Sequence, residues 1–146
     1  TVEPGEVFTV DLVADLAPHQ VIGWGLDLAY DASVVSATGS PAVGPLWLAA
    51  FAPDGDGLSA FAPLGSLSGD GLLLARLTFR AEGAGQTRLS PGYTPGDLNE
   101  GFPLDPSGYA RMTFLPGTVQ VVPEPSMLLL LAAAATLAMR FRRRGA

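Results

Sequence analysis

The sequence contains no cysteine and no lysine, and His19 is its single histidine. Without thiols there can be no disulfide framework, no thiolate metal site and no cysteine nucleophile. Zinc centres ordinarily use two or more histidines, and a serine triad would have to be built around the one imidazole of a Pro-His-Gln loop. His19 therefore reads as a solvated loop residue and hydrolase chemistry is disfavoured. Positive charge is also scarce. Residues 1–122 hold Arg76, Arg80, Arg88 and Arg111 against thirteen carboxylates. Such a surface repels a phosphate backbone and has no lysine to displace its counterions, which excludes nucleic acid as a partner.

What is present is apolar, glycine-rich and proline-rich. Of 146 residues 48% are apolar, and 18 glycines and 13 prolines punctuate the apolar runs. The length suits one globular domain with an appendage, and the punctuation favours a turn-rich all-β body.

Charge and hydropathy change abruptly near residue 123. Met127 to Met139 is a run of thirteen uncharged residues, mostly leucine and alanine, followed at once by Arg140, Arg142, Arg143 and Arg144. No proline or glycine interrupts the run, so a helix is expected over 126–139. Thirteen helical residues span about 20 Å, short of the ~30 Å hydrocarbon core of a bilayer. Ser126 at the interface, the apolar Phe141 and snorkelling of Arg140 extend that reach enough for a single membrane anchor. Arginines flanking a span mark its cytoplasmic end, which places residues 1–122 on the outer side.

The order Val-Pro-Glu-Pro-Ser, apolar helix and arginine cluster resembles the PEP-CTERM sorting signal of exopolysaccharide-producing bacteria, with Pro123, Glu124 and Pro125 as its tripeptide. The resemblance implies that a membrane-embedded exosortase processes the tail. The body would be exported with a leader ahead of Thr1, held at the inner membrane of a Gram-negative bacterium, then passed to the cell surface or extracellular matrix. Two prolines keep the tripeptide extended and unable to pair as a strand, hence accessible above the bilayer. The chain thus divides into a domain at 1–122 and a sorting signal at 123–146.

Within the domain, apolar and polar residues alternate. Phe8, Val10, Leu12 and Ala14 share one face of a strand. Ile22, Trp24, Leu26, Leu28 and Tyr30 share one face of a second, and Leu73, Ala75, Leu77, Phe79 and Ala81 one face of a third. Val119 and Val121 flank Gln120 in a last strand. Shorter strands are expected within Leu46 to Phe51 and Leu58 to Ala62. Turn clusters separate them at 53–57, 68–71, 82–86 and 91–97, a spacing that fits two packed antiparallel sheets.

The stretch VIGWGLDLAYDASVV at 21–35, GLLLARLTFRAEGAGQTRLS, and the closing DLNEGFPLDPSGYARMTFLPGTVQVV resemble cohesin domains over most of residues 1–122. Ala32 stands where cohesins have a proline, and the glycine of a "D-x-N-G" signature falls one place late, at Gly101. The resemblance implies a nine-stranded jelly-roll β-sandwich related to some carbohydrate-binding modules.

Candidate sites are few. Asp54 and Asp56 resemble half of a calcium loop, although aspartate-glycine pairs are also ordinary turn chemistry. Asp97, Asn99, Glu100 and Asp105 form a second acidic loop with the same two readings. Trp24 fits the core period. Trp47 is the residue expected to contact a ligand at the surface, and Tyr93 and Tyr109 lie in loops where stacking or packing would serve. The expectation is an exported, non-enzymatic structural or adhesive module with no cofactor unless calcium. The alternative is a module that binds a polysaccharide or a dockerin-like protein.

Overall fold

Each alternating run becomes a strand, and the glycine-bearing stretches at 68–71 and 82–84 link one strand to the next. The computed structural model describes residues 1–50, 57–97 and 99–123. Asp54, Asp56, Glu124, Pro125, the apolar run 126–139 and Arg140, Arg142, Arg143 and Arg144 lie outside the described residues. The strands are β1 (Val7–Ala14), β2 (Gly23–Ala29), β3 (Val35–Ala37), β4 (Ala42–Val43), β5 (Leu48–Ala50), β6 (Leu58–Phe61), β7 (Leu72–Ala81), β8 (Gly85–Gly92) and β9 (Gly117–Val121). All named pairings are antiparallel, in two sheets. In the first, β7 lies between β1 on one side and β3 and β4 on the other; the second has the order β5-β6-β2-β8-β9. An isolated parallel bridge from Val2 to Val121 ties the amino end to β9. No helix among the described residues is long and apolar enough to cross a membrane.

The core lies between the sheets. From the first come Ala75, Leu77, Phe79 and Ala81, and from the second Trp24, Leu26, Ala60 and Leu89. Phe79 is fully buried, stacked on Phe8 at 5.9 Å and met edge-on by Tyr30 at 5.3 Å. Such ring pairs add about 0.5–1.5 kcal/mol each beyond the area they bury. On the outer side of the first sheet Arg76 grips Asp11 across the β1–β7 ladder at 2.6 and 2.8 Å. That pair is solvent-exposed and sets register more than stability.

The alternation fails at two places, each for a local reason. The β1–β7 register slips between Leu12 and Val13, so Leu74 has no residue opposite it and enters the core beside Ala75. Such a bulge shifts the inward phase by one, and Leu73 leaves the buried face. The chain also bends at Ile22 ahead of β2. Val21 is fully buried and bridges Leu67 and Leu104, while Ile22 is 40% exposed instead of following Trp24 inward.

Truncating Phe79 to alanine should cost about 3–5 kcal/mol in urea unfolding, as expected for a buried ring that leaves a cavity. Val7→Ala, on the solvent side of β1, should stay within about 0.5 kcal/mol of wild type.

Candidate docking face

In the second sheet the register places two rows of side chains on the side away from the core. Leu48, Phe61 and Gly23 are cross-strand neighbours, as are Ala50, Ser59 and Gly25. The intervening row, Ala49, Ala60 and Trp24, belongs to the inner face, and Ala60 and Trp24 are buried. Two glycines and small residues keep the outer side flat. Leu48 is 50% exposed and Phe61 46%, and with Ile22 they form an apolar surface on β5, β6 and the entry to β2. A cleft of about 270 Å³ opens here, walled by Ile22, Phe61, Ala50 and Pro103 and ending at Ser59, Asn99 and Glu100.

Backbone pairing with β2 builds the polar end of this cleft. Beyond the end of β8, Gly101 exchanges two hydrogen bonds with Gly25, at 2.9 and 2.8 Å, and the Ile22 amide donates to the Pro103 carbonyl. The segment is drawn so close that a Cβ on Gly25 would sit 2.0 Å from the Asn99 carbonyl oxygen. Gly101 has φ +98°, a conformation glycine adopts without strain, and the ring of Tyr109 packs against it.

This closure leaves Glu100 only 7% exposed, above the outer side of β2. The Thr94 amide donates to its carboxylate, and the Thr94 hydroxyl lies 3.2 Å from Asp27 on β2. The Thr94 hydrogen bond pulls the Glu100 carboxyl down, but burial, a hydrogen bond shared with Asp27, and the charges of Asp27 and Asp97 outweigh it. The net effect raises Glu100 above the ordinary glutamate value of 4.5. Asp97 closes the preceding turn by accepting the Asn99 amide at 2.8 Å. Asp105 is held elsewhere, its amide donating to the Gln20 carbonyl. Of the second acidic loop, then, Asp97, Asn99 and Glu100 come together with Asp27, and Asp105 stays apart. Among the described residues no three carboxylate or imidazole groups converge as a metal-ligand set.

The expectation that Trp47 is a surface ligand contact is overturned. It is 3% exposed, meets Trp24 edge-on at 6.3 Å, and its Nε1 donates to the Leu73 carbonyl at 3.1 Å. The turn after Gly44, whose carbonyl accepts the Trp47 amide, carries this indole inward and leaves Leu46 and Leu48 half exposed. Trp24 is buried as its period implied. Tyr93 and Tyr109 are half exposed on loops, Tyr93 packed edge-on against Phe114. Sugar stacking on the tryptophans is therefore closed off. The residues that sequence reasoning missed are Leu48, Phe61 and Ile22. No period revealed them, because they are apolar residues on the solvent side of short strands.

No protein-family model and no curated protein matches this chain in sequence. Among solved structures, a chain of the CaDoc0917–CaCohA2 complex at pH 5.5, a cohesin complex, superposes with a TM-score of 0.60 at 18% identity. The match covers 82% of this chain and 92% of that one. The fold is thus an all-β sandwich of cohesin-like form.

Two substitutions probe this corner. Gly25→Ala should destabilise by at least about 2 kcal/mol, because the added methyl collides with a backbone carbonyl that cannot retreat without breaking the Gly25–Gly101 pairing. Glu100→Gln keeps an acceptor for Thr94 and offers Asp27 a donor. An acid whose folded pKa is raised stabilises the fold fully below its unfolded pKa and loses that contribution as pH rises through the folded one. Thermal melts should show the glutamine variant gaining on wild type as pH rises above about 4.5, the unfolded glutamate value; a constant difference across pH would contradict the assignment.

Proposed function

We propose that the chain is a non-enzymatic protein-binding module that docks a dockerin-like partner on the outer face of its five-stranded sheet. The observation that carries this reading is the row of Leu48, Phe61 and Ile22, large apolar side chains left in solvent on a flat, glycine-lined face. Isolated exposed apolar residues are ordinary, whereas a contiguous group beside a cleft is the usual mark of a binding surface. The likeness to a cohesin solved in complex with its dockerin supports the choice of partner.

The sequence beyond residue 122 supplies the cellular half of the proposal. Pro123, Glu124 and Pro125, the apolar run and the terminal arginines would deliver the module to the outer side of a bacterial inner membrane for exosortase processing. The module would then act as a structural or adhesive component of the surface or matrix.

The immobilised full chain should capture a secreted protein of the producing organism, which is then purified and titrated directly. Phe61→Asp should weaken that binding by at least about 30-fold, the scale of a central hot spot, while Val7→Asp on the opposite sheet leaves it unchanged. Equal loss or equal retention in the two variants would remove the face from the account. In cells, mass spectrometry should find the tail absent from exported wild type and retained when Pro123, Glu124 and Pro125 are replaced by alanine. Identical processing of both would refute the sorting assignment.

A further inference from the structure

The carboxyls of Glu100 and Asp27 meet beside Gly57, just ahead of β6. A Cβ on that glycine would lie 3.5 Å from Oδ1 of Asp27 and 3.7 Å from Oε1 of Glu100. Thr94 closes the group from the loop, its amide donating to Oε2 of Glu100 and its hydroxyl to Asp27. Neither acid has an ion-pair partner among the described residues. Asp97, in the same loop, adds a further negative charge, and Gly57 brings none. Two carboxylates so placed, one of them buried, resist ionising together. With one proton between them, Glu100 donates to Asp27 from one oxygen and accepts from Thr94 at the other, so both oxygens of the buried acid keep a partner.

The bonds within the turn hold it together without fastening it to the sheet: the Asp97 amide donates to the Thr94 carbonyl and the Asn99 amide to the Asp97 carboxylate. Attachment to β2 comes from the Thr94–Glu100–Asp27 group and from the Gly25–Gly101 pair. Gly96 and Gly101, at φ +95° and +98°, are points where the backbone turns without side-chain strain. We infer that Glu100 and Asp27 form a proton-held latch: a shared proton keeps the 94–101 segment closed on β2, and its loss releases the segment and withdraws Asn99 and Glu100 from the end of the cleft. The latch needs no partner, so it stands or falls apart from the docking reading. Its direction follows from the raised Glu100 value: closure is strongest in acid and weakens as pH rises above about 4.5.

Hydrogen exchange of the isotope-labelled full chain, in metal-free buffer with non-ionic detergent, tests this between about pH 4.5 and 7.5 once the intrinsic pH dependence of exchange is removed. Across that range the Thr94 and Gly101 amides should lose protection by at least about five-fold, the lower end of ordinary coupling, while the Phe79 amide in β7 keeps its own. Glu100→Gln, neutral at every pH, should leave Gly101 equally protected throughout. Asp27→Asn, a second variant that removes the like charge and leaves Glu100 in place, should shrink the loss. Constant protection of Gly101 in wild type would overturn the latch, as would a loss shared equally by Phe79, which would mean loosening of the whole fold. A full loss that survives either substitution would overturn the assignment to this pair.

Discussion

The approach of Gly101 to Gly25 is the constraint on which the candidate site depends. Two glycines with no side chain between them let the segment after β8 pair with β2 at its entry, and the Asn99 carbonyl occupies the space where any other residue at position 25 would carry its Cβ. From that contact follow the burial of Glu100, its coupling to Asp27 through Thr94, and the polar end of a cleft whose walls are otherwise hydrocarbon. Without it, nothing would cover the outer side of β2 beside Gly25, and Glu100 would lose the contact that buries it.

The two sheets divide the work. The first, built around the ten-residue β7, brings Phe8 and Phe79, which Tyr30 at the end of β2 meets edge-on, and its outer side carries the Asp11–Arg76 pair. The second shows solvent a face with few charges over β5 and β6. On the proposed docking reading, apolar area there adds affinity only through well-packed central side chains, the role open to Leu48 and Phe61.

Much of the fold was legible because a buried sandwich face imposes period two. The inward rows of β1, most of β7 and the burial of Trp24 follow from counting alone. The bulge at Leu74 and the bend at Ile22 were not legible, since both arise from register against a neighbouring strand and leave no mark in the local pattern. Trp47 misled for a related reason. Its neighbours Leu46 and Leu48 are as apolar as it is, and only the turn after Gly44 decides which of the three goes inward. The acidic loop did carry a signal: Gly101 stands one place later than the cohesin-like pattern expects, and the residue occupying the expected place is Glu100. The tail's reading rests on composition and order of residues beyond those the structure describes.

The central claim is that the outer face of the five-stranded sheet binds a protein. Hydrogen exchange of the full chain, with and without its captured partner, reads this most directly. Binding there should slow exchange in β5, β6 and the 99–104 segment beside β2 while β1 and β3 remain unchanged. Protection centred on β1 and β3, with β5 and β6 unaltered, would contradict it.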